Sequence, residues 1–488
     1  MATVSDPSLL EVTYDSRTAT ATSIDAKTAS IKGKKVSELT FDRIGRTTRV
    51  VYVDPSNRDA AAASIRTIPG VRSVTPVQRY HALAVNTPLE TNDPVFDGTG
   101  VPPLYEDAAT DGQWDMHVIG LDSAFAYSSP SNGSVVAPNP NALGSTGVLL
   151  AIIDTGADLT HPDLAAANVV TTKCFITDTN NTTSTGSFVT DPDGHGTNVS
   201  GIAGAAVGNA FGYVGAAGNV SLMVYRVFPT PDSSCSTTSK NPPPQCTASG
   251  LDIASAINDA VNNGANVINL SFGGSLCNNG QDPDSLEGGA VANAIANHVI
   301  VVAAAGNDST QNGIGAPGCD PGVIAVGATG WNDGLPNGSG FHNSSRHEYV
   351  ASYSQYGSNN TLRSSNSWGI VAPGGDAQNV NDTDYLHWID NAWTSTPFDS
   401  ADGAYSCSDT FGESPNCHTL IDGTSMSSPH VAGAAALLLS VNKQYASPAA
   451  MYQLLCRTAD DIGDAHQGCG RLNVYRAMAV AIRDPNLP

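Results

Sequence analysis

The chain has 488 residues, 40% of them apolar, enough to bury one large α/β core with a small companion unit and too apolar for global disorder. No unbroken apolar run approaches about 18 residues, so a membrane-spanning helix is not expected. The net charge of −23 leaves no room for the clustered Lys and Arg that nucleic-acid binding needs.

That charge is unevenly placed. Residues 1–89 hold 12 Lys and Arg against 8 Asp and Glu, whereas residues 90–488 hold 10 against 37. A basic front segment and an acidic body attract each other, unless each is simply solvated on its own. Nine cysteines point to an oxidising compartment. Cys235/Cys246, Cys407/Cys417 and Cys456/Cys469 are local pairs, Cys277 and Cys319 flank one βαβ-like unit, and Cys174 is left over. The N-terminal stretch MATVSDPSLLEVTYDSRT has neither a basic nor an apolar signal region. The expectation is a secreted protein without its signal peptide in this sequence.

In chain order, residues 46–86 read as strand, helix and strand: RVVYV is β-rich, AAAASIRTI is helical and VRSVTPV is β-rich again. The first 40 residues or so offer no clear pattern and are expected to be extended. The Pro/Gly/Asp-rich passage 87–112 reads as a linker or tail. From residue 113 onward, apolar strands GVLLAIID, VSLMVYRVF, ANVINLSF, VIVVAAAGN and VIAVGAT alternate with helical stretches at 248–264 and 288–298. Such runs suit parallel strands covered on both faces. The fold class expected is α/β, a doubly wound and mostly parallel sheet over 113–488, preceded by a small α+β unit over 1–86.

Function in an open parallel sheet collects beyond the carboxyl ends of the strands. Asp154 ends VLLAIID, Asn307 ends VIVVAAAGN, His195 opens a helix in DGHGTNVSG, and Ser425 precedes another in DGTSMSSPHVAG. Singly, each has an ordinary structural reading: a strand-end Asp caps a turn, a His between glycines occupies a bend, and a Ser caps a helix. Together, Asp, His and Ser in that order form one of the known arrangements of a nucleophilic triad. A serine hydroxyl needs a neighbouring general base, His195 can take and return its proton, and Asp154 can orient the ring. A helix N-terminus disfavours imidazolium, which Asp154 would counter. The Ser425 N–H and the Asn307 amide could then hold an oxyanion.

The motifs DTGAD (154–158), DGHGTNVSG (193–201) and DGTSMSSPHVAG (422–433) closely resemble the active-site signatures of the subtilisin-like serine proteases, and the resemblance spans roughly residues 113–484. It implies a secreted endopeptidase of broad specificity acting through an acyl-enzyme on polypeptide substrates, with a preference for apolar side chains before the scissile bond. It also implies that Ser271, Phe272 and Gly273 pair with the bound peptide, and that Ala304 and Gly306 line a pocket wall. The front unit resembles the family's ferredoxin-like prodomain, an inhibitor of its own enzyme, cut off near Leu83 or just after. Asp163 in HPDL, Asp93 in NDP and Asn209 match the family's calcium ligands, Asn209 with one extra residue of spacing. A monomer is expected, without nucleic acid or membrane as partner. Three rivals remain open: a permanently latent protein used for binding or storage, an exopeptidase whose cleft is blocked by the 229–250 insertion, and an acid peptidase of the sedolisin type, which His195 and Asn307 oppose. Asp422, beside Gly423, stands where a neutral residue is expected.

Overall fold

The computed structural model describes residues 5–15, 20–41, 44–82, 113–128, 139–177, 183–186, 190–209, 211–230, 247–274, 276–277, 285–309, 313–332, 347–357, 368–376, 388–395, 405–406 and 417–483. The expected linker 87–112, the cut site near Leu83, Asp93, Cys235, Cys246, Cys407 and most of the 229–250 insertion lie outside the described residues.

At the front, alternating apolar residues build an antiparallel sheet. Its elements are β1 (Ser5–Asp15), α1 (Thr20–Ser30), β2 (Lys34–Phe41), β3 (Arg46–Tyr52), α2 (Arg58–Arg66) and β4 (Val71–Ala82), with strand order β4-β1-β3-β2. This is a split βαβ arrangement. The period of two sends Leu10, Val12 and Tyr14 to the face covered by Ile24 of α1 and Ile65 of α2. It sends Leu9, Val50 and Val77 to the opposite face, which joins the core of the main body. The first 40 residues are therefore folded rather than extended. Their signal was weak because α1, TATSIDAKTAS, is mostly Thr, Ser and Ala and buries little beyond Ile24 and Thr28.

The main body begins with α3 (Trp114–Val118) and α4 (Leu121–Phe125), followed by β5 (Leu149–Asp154), α5 (Pro162–Ala165), β6 (Asn168–Thr177), β7 (Thr183–Gly186), α6 (His195–Gly204), β8 (Ser221–Arg226), β9 (Ala248–Ser249), α7 (Gly250–Asn262), β10 (Val267–Leu270), β11 (Phe272–Gly273), α8 (Leu286–Ala296), β12 (Ile300–Ala304), β13 (Ile324–Asn332), β14 (His347–Val350) and β15 (Ile370–Pro373). The central sheet runs β14-β13-β12-β10-β5-β8-β6-β7, with β15 also on β13. Its core pairings are parallel, and only β13–β14 and β6–β7 are antiparallel. Successive apolar residues of β5 face opposite cores. Leu150 and Ile152 pack with the later helices, while Ala151 and Ile153 pack with α7 and α8. Chain order reverses at β5, which lies between β8 and β10, so the end of β5 is the topological switch point.

A three-stranded sheet of β16 (Ile389–Ala392), β17 (Tyr405–Ser406) and β18 (His418–Ile421) leads into α9 (Thr424–Val441), followed by α10 (Pro448–Thr458) and α11 (Val474–Ile482). Every residue of α9 from Thr424 to Ser440 is buried. A proline is tolerated best in the first helical turn, where its missing N–H does not matter, but Pro429 lies deeper in α9. It is the sixth helical residue, where an N–H would normally bond the carbonyl of Ser425. That carbonyl accepts the Ser271 hydroxyl instead, at 2.7 Å.

ANVINLSF, expected as one strand, is interrupted at Ser271 between β10 and β11. The end of β4 pairs antiparallel with both neighbouring edges of the main body: Ala82 and His81 with Phe272 and Gly273, and Tyr80 and Arg79 with Ala248 and Ser249. Disulfides join Cys277 to Cys319 and Cys456 to Cys469, and Cys174 on β6 is a free thiol. Among the described residues no helix is long and apolar enough to cross a membrane.

Candidate active site

Asp154 sits at the carboxyl end of β5, completely buried. One of its oxygens accepts the N–H of Thr155 at 2.7 Å and lies 2.7 Å from Nδ1 of His195. A carboxylate there fixes the tautomer: Nδ1 carries the proton, leaving the lone pair on Nε2. Nε2 is buried and has no hydrogen-bond partner. Burial opposes charging the ring. The charge and hydrogen bond of Asp154 outweigh it, with smaller contributions from Asp193 and Asp191, so the imidazole is held above its ordinary pKa.

His195 is the first residue of α6. Gly194 before it has φ 110°, and a Cβ there would come 2.2 Å from the Trp393 ring, so only glycine admits the turn. Ser425 is the second residue of α9, which packs against α6. Gly423 precedes that helix with φ 154° and ψ 157°, a combination essentially confined to glycine. The Ser425 hydroxyl donates to the carbonyl of Ser271 at 2.9 Å rather than to His195. The carbonyl is a fixed acceptor, and one rotation about χ1 separates the two orientations.

Asn307 follows β12. Its Oδ1 accepts both the N–H of Thr424, at 3.0 Å, and the Thr424 hydroxyl, at 2.7 Å. Since a backbone N–H can only donate, the atom facing it must be the amide oxygen. The amide nitrogen then points the other way, buried and without a partner. The buried polar atoms left unfilled here include a base at His195 Nε2, a donor at Asn307 Nδ2 and the second oxygen of Asp154. In the first turn of α9 the N–H of Thr424 is taken by Asn307 and that of Met426 by the carbonyl of Gly423 at 3.0 Å.

Of the residues expected to bind substrate, Phe272 and Gly273 have their edge occupied by β4. Ala304 ends β12, and Gly306, with φ 114°, leads to Asn307. The two walls are stitched together: Gly274 donates to the carbonyl of Ala316 at 2.7 Å, and Gly315 donates to that of Ala305 at 3.1 Å.

Asp163 and Asn209 are brought together, with Asn209 Nδ2 donating to Asp163 Oδ1 at 2.8 Å and the N–H of Tyr213 donating to Oδ2 at 3.0 Å. Burial pushes the Asp163 carboxyl up to about 6 despite these donors. The adjacent His161 is driven down to about 4 by burial, so it brings no compensating charge. A buried carboxylate without a countercharge is chemically suited to a hard cation, although here both its oxygens accept N–H groups and the Asn209 oxygen accepts the N–H of Phe211 at 3.1 Å.

Three residues at this site were not anticipated from the sequence. Thr155 and Asp191 tie the Asp154 turn to the start of α6, and Thr424 links Asn307 to α9. Their only sequence signal was nearness to the motifs, in DTG, DPDGHG and DGTS.

The pattern of the peptidase S8 subtilase family matches residues 145–470. Subtilisin DY of Bacillus licheniformis is 33% identical over 68% of this chain and 90% of its own length. Thermitase of Thermoactinomyces vulgaris is 30% identical over 68% of this chain and 89% of its own. Among solved structures, fervidolysin from Fervidobacterium pennivorans, a keratinolytic enzyme related to subtilisin, superposes with a TM-score of 0.65 at 20% identity, covering 98% of this chain and 61% of that one. At that identity the likeness speaks for the fold alone.

Proposed function

On the premise that the chain belongs to the subtilase family and is a subtilisin-like serine peptidase, we propose that Ser425, His195 and Asp154 form its triad, with Asn307 as oxyanion donor. The observation that carries this reading is the pair of unfilled atoms, His195 Nε2 and Asn307 Nδ2, beside an Asp154–His195 contact of 2.7 Å. The Ser425 hydroxyl turns from the Ser271 carbonyl toward Nε2, loses its proton to the imidazole and attacks the peptide carbonyl. Asn307 and a first-turn N–H of α9 receive the developing oxyanion. His195, its charge stabilised by Asp154, returns the proton to the leaving amine. Water then hydrolyses the acyl-enzyme by the same base.

The substrate lies as an added strand along Phe272 and Gly273, with its apolar side chain toward Ala304 and Gly306. Residues 1–86 act as a prodomain: β4 already occupies that edge and lies between β9 and β11 as a peptide substrate would. The charge division of the sequence favours the same docking. The enzyme is secreted and releases itself by cutting beyond β4, leaving residues 113–488 as the catalytic domain. Asp163 of α5 and Asn209 would hold a structural calcium ion, which would take no part in the chemistry.

The test is refolding of Ser425→Ala beside the wild type, with a fluorophosphonate probe added to the latter. The variant should persist as an uncut 50.1 kDa chain while the wild type is cut and labelled at Ser425. Cutting of the variant at the wild-type position, or label on another residue, would refute the assignment.

A further inference from the structure

Asp191 lies four residues before His195 and is 2% exposed, a buried carboxylate outside the triad. It accepts five hydrogen bonds. Its Oδ1 receives the Thr155 hydroxyl at 2.9 Å, the N–H of Gly194 at 2.9 Å and that of Asp193 at 3.2 Å. Its Oδ2 receives the N–H of Thr197 at 2.7 Å and its hydroxyl at 2.5 Å. One of these donors, the Thr197 N–H, is a first-turn backbone group of α6, and the Gly194 N–H lies just before the helix. The Thr155 hydroxyl in turn accepts the N–H of Gly196 at 2.7 Å, and the Thr155 N–H holds Asp154 at 2.7 Å. The end of β5 and the start of α6 are thus bound through one carboxylate and one hydroxyl. The contact they frame is the one between Asp154 and His195.

Resting on the triad reading above, we propose that Asp191 is a positioning residue for the general base. Through Thr155 it fixes His195 against Asp154, and its negative charge favours the imidazolium that forms during proton transfer. A helix N-terminus alone would disfavour that cation. A carboxylate buried at the same terminus, accepting the N–H of Thr197 and that of Gly194 just before the helix, reverses the sign locally. The charges bearing on the ring are Asp154 at the end of β5 and Asp193 and Asp191 in the loop before α6. Arg226 at the end of β8 interacts with both Asp191 and Asp193. The other titratable groups on elements packed against α6 are engaged elsewhere: Asp163 with Asn209 and Tyr213, Asp390 of β16 with His418, and His430 of α9 with Asp115.

The experiment compares full-length wild type, Asp191→Asn and Asp191→Glu on a chromogenic peptide with an apolar residue before the scissile bond, across pH 5 to 9, normalised to the fluorophosphonate-titrated fraction. Asp191→Asn should lower kcat about 100-fold with KM nearly unchanged, the scale of a small misplacement of a catalytic group. It should also move the acid limb of kcat/KM to lower pH, because a charge is removed. Asp191→Glu keeps the charge but not the geometry, so it should lose kcat with the acid limb in place. A merely structural role would lower thermal stability and leave the limb unmoved in Asp191→Asn, and that result overturns the proposal. Should Asp191→Asn fail to accumulate, Thr155→Val and Thr155→Ser decide. Val should lower kcat and Ser restore it, and wild-type kcat in Thr155→Val overturns the proposal equally. A wild type that takes no label removes the triad itself and this inference with it. A labelled wild type beside an unchanged Asp191→Asn removes the inference alone.

Discussion

Replacing Asn307 by Asp isolates one atom. The new carboxylate can still accept the N–H and hydroxyl of Thr424, the two bonds that Asn307 Oδ1 makes at 3.0 and 2.7 Å. Only the donor is lost, the amide nitrogen that has no partner in the resting site. Since that nitrogen holds nothing before reaction, its loss falls on the transition state, where the carbonyl oxygen becomes an oxyanion. Removing one such donor from a subtilisin costs roughly 100- to 1,000-fold in kcat, about 2.7–4 kcal/mol. Asn307→Asp should reach at least that, because its own negative charge would face the oxyanion. KM should stay close to the wild-type value, as the donor adds little to ground-state binding. Asn307→Ala should lose similar activity and, in addition, about 1–3 kcal/mol of stability per Thr424 donor left buried without an acceptor. The assay is kcat and KM on one peptide, with active sites counted by fluorophosphonate and melting followed on the inhibited protein. A kcat for Asn307→Asp within threefold of wild type would show that the amide nitrogen faces no developing charge, and the oxyanion assignment would fall.

Other consequences are open to measurement. His195 is raised above its ordinary value of 6.5, so kcat/KM should halve on the acid side at a pH above 6.5 and fall further as the base protonates; a midpoint below 6.5 contradicts the Asp154 contact. The same shift makes this group's stability contribution fully present below the unfolded pKa and lost as pH rises through the folded one. Ser271→Ala should cost about 1–3 kcal/mol in thermal or urea unfolding, since it removes the hydroxyl that donates to the Ser425 carbonyl opposite Pro429 and accepts from Asn269, and adding Pro429→Ala should recover part of it. Millimolar calcium should raise the melting temperature of the wild type but not of Asp163→Asn; an equal rise in both would move the ion elsewhere. Removing the Cys456–Cys469 bridge, which spans 13 residues, should cost about 3 kcal/mol, read as a shift in the denaturant midpoint.

The site was legible in the sequence to the extent that its chemistry is local. Asp154, His195, Asn307 and Ser425 each end a strand or open a helix, so a short motif carries both the residue and its placement. The parallel sheet was legible for the same reason, because strands such as LLAIID are apolar on both faces. What the sequence did not disclose lies in pairings between distant segments. Nothing in VRSVTPVQRYHA says that its end lies between Ala248–Ser249 and Phe272–Gly273. The fold of the first 40 residues was hidden by a polar helix and by strands whose partners come later. Asp191 looked like any acidic turn residue, and only three dimensions reveal that all five of its donors converge on it. Asp422 was expected to be a neutral position; it is completely buried and weighs electrostatically on Tyr353.

The proline in α9 has a consequence for where the nucleophile stops along the helix axis. From Val431 onward the helix is nearly uniform Ala, Leu, Val and Gly, a surface that small translations would alter little. Its position needs a landmark. Pro429 provides one, because it leaves a single gap in an otherwise continuous ladder, and the gap is one turn above the residue whose height matters most. Ser271, at the break between β10 and β11 and itself held by Asn269, fills that gap with its hydroxyl. The strand edge thereby sets how far the helix enters the protein, and the serine at its tip stops at the level of the carbonyl it is to attack.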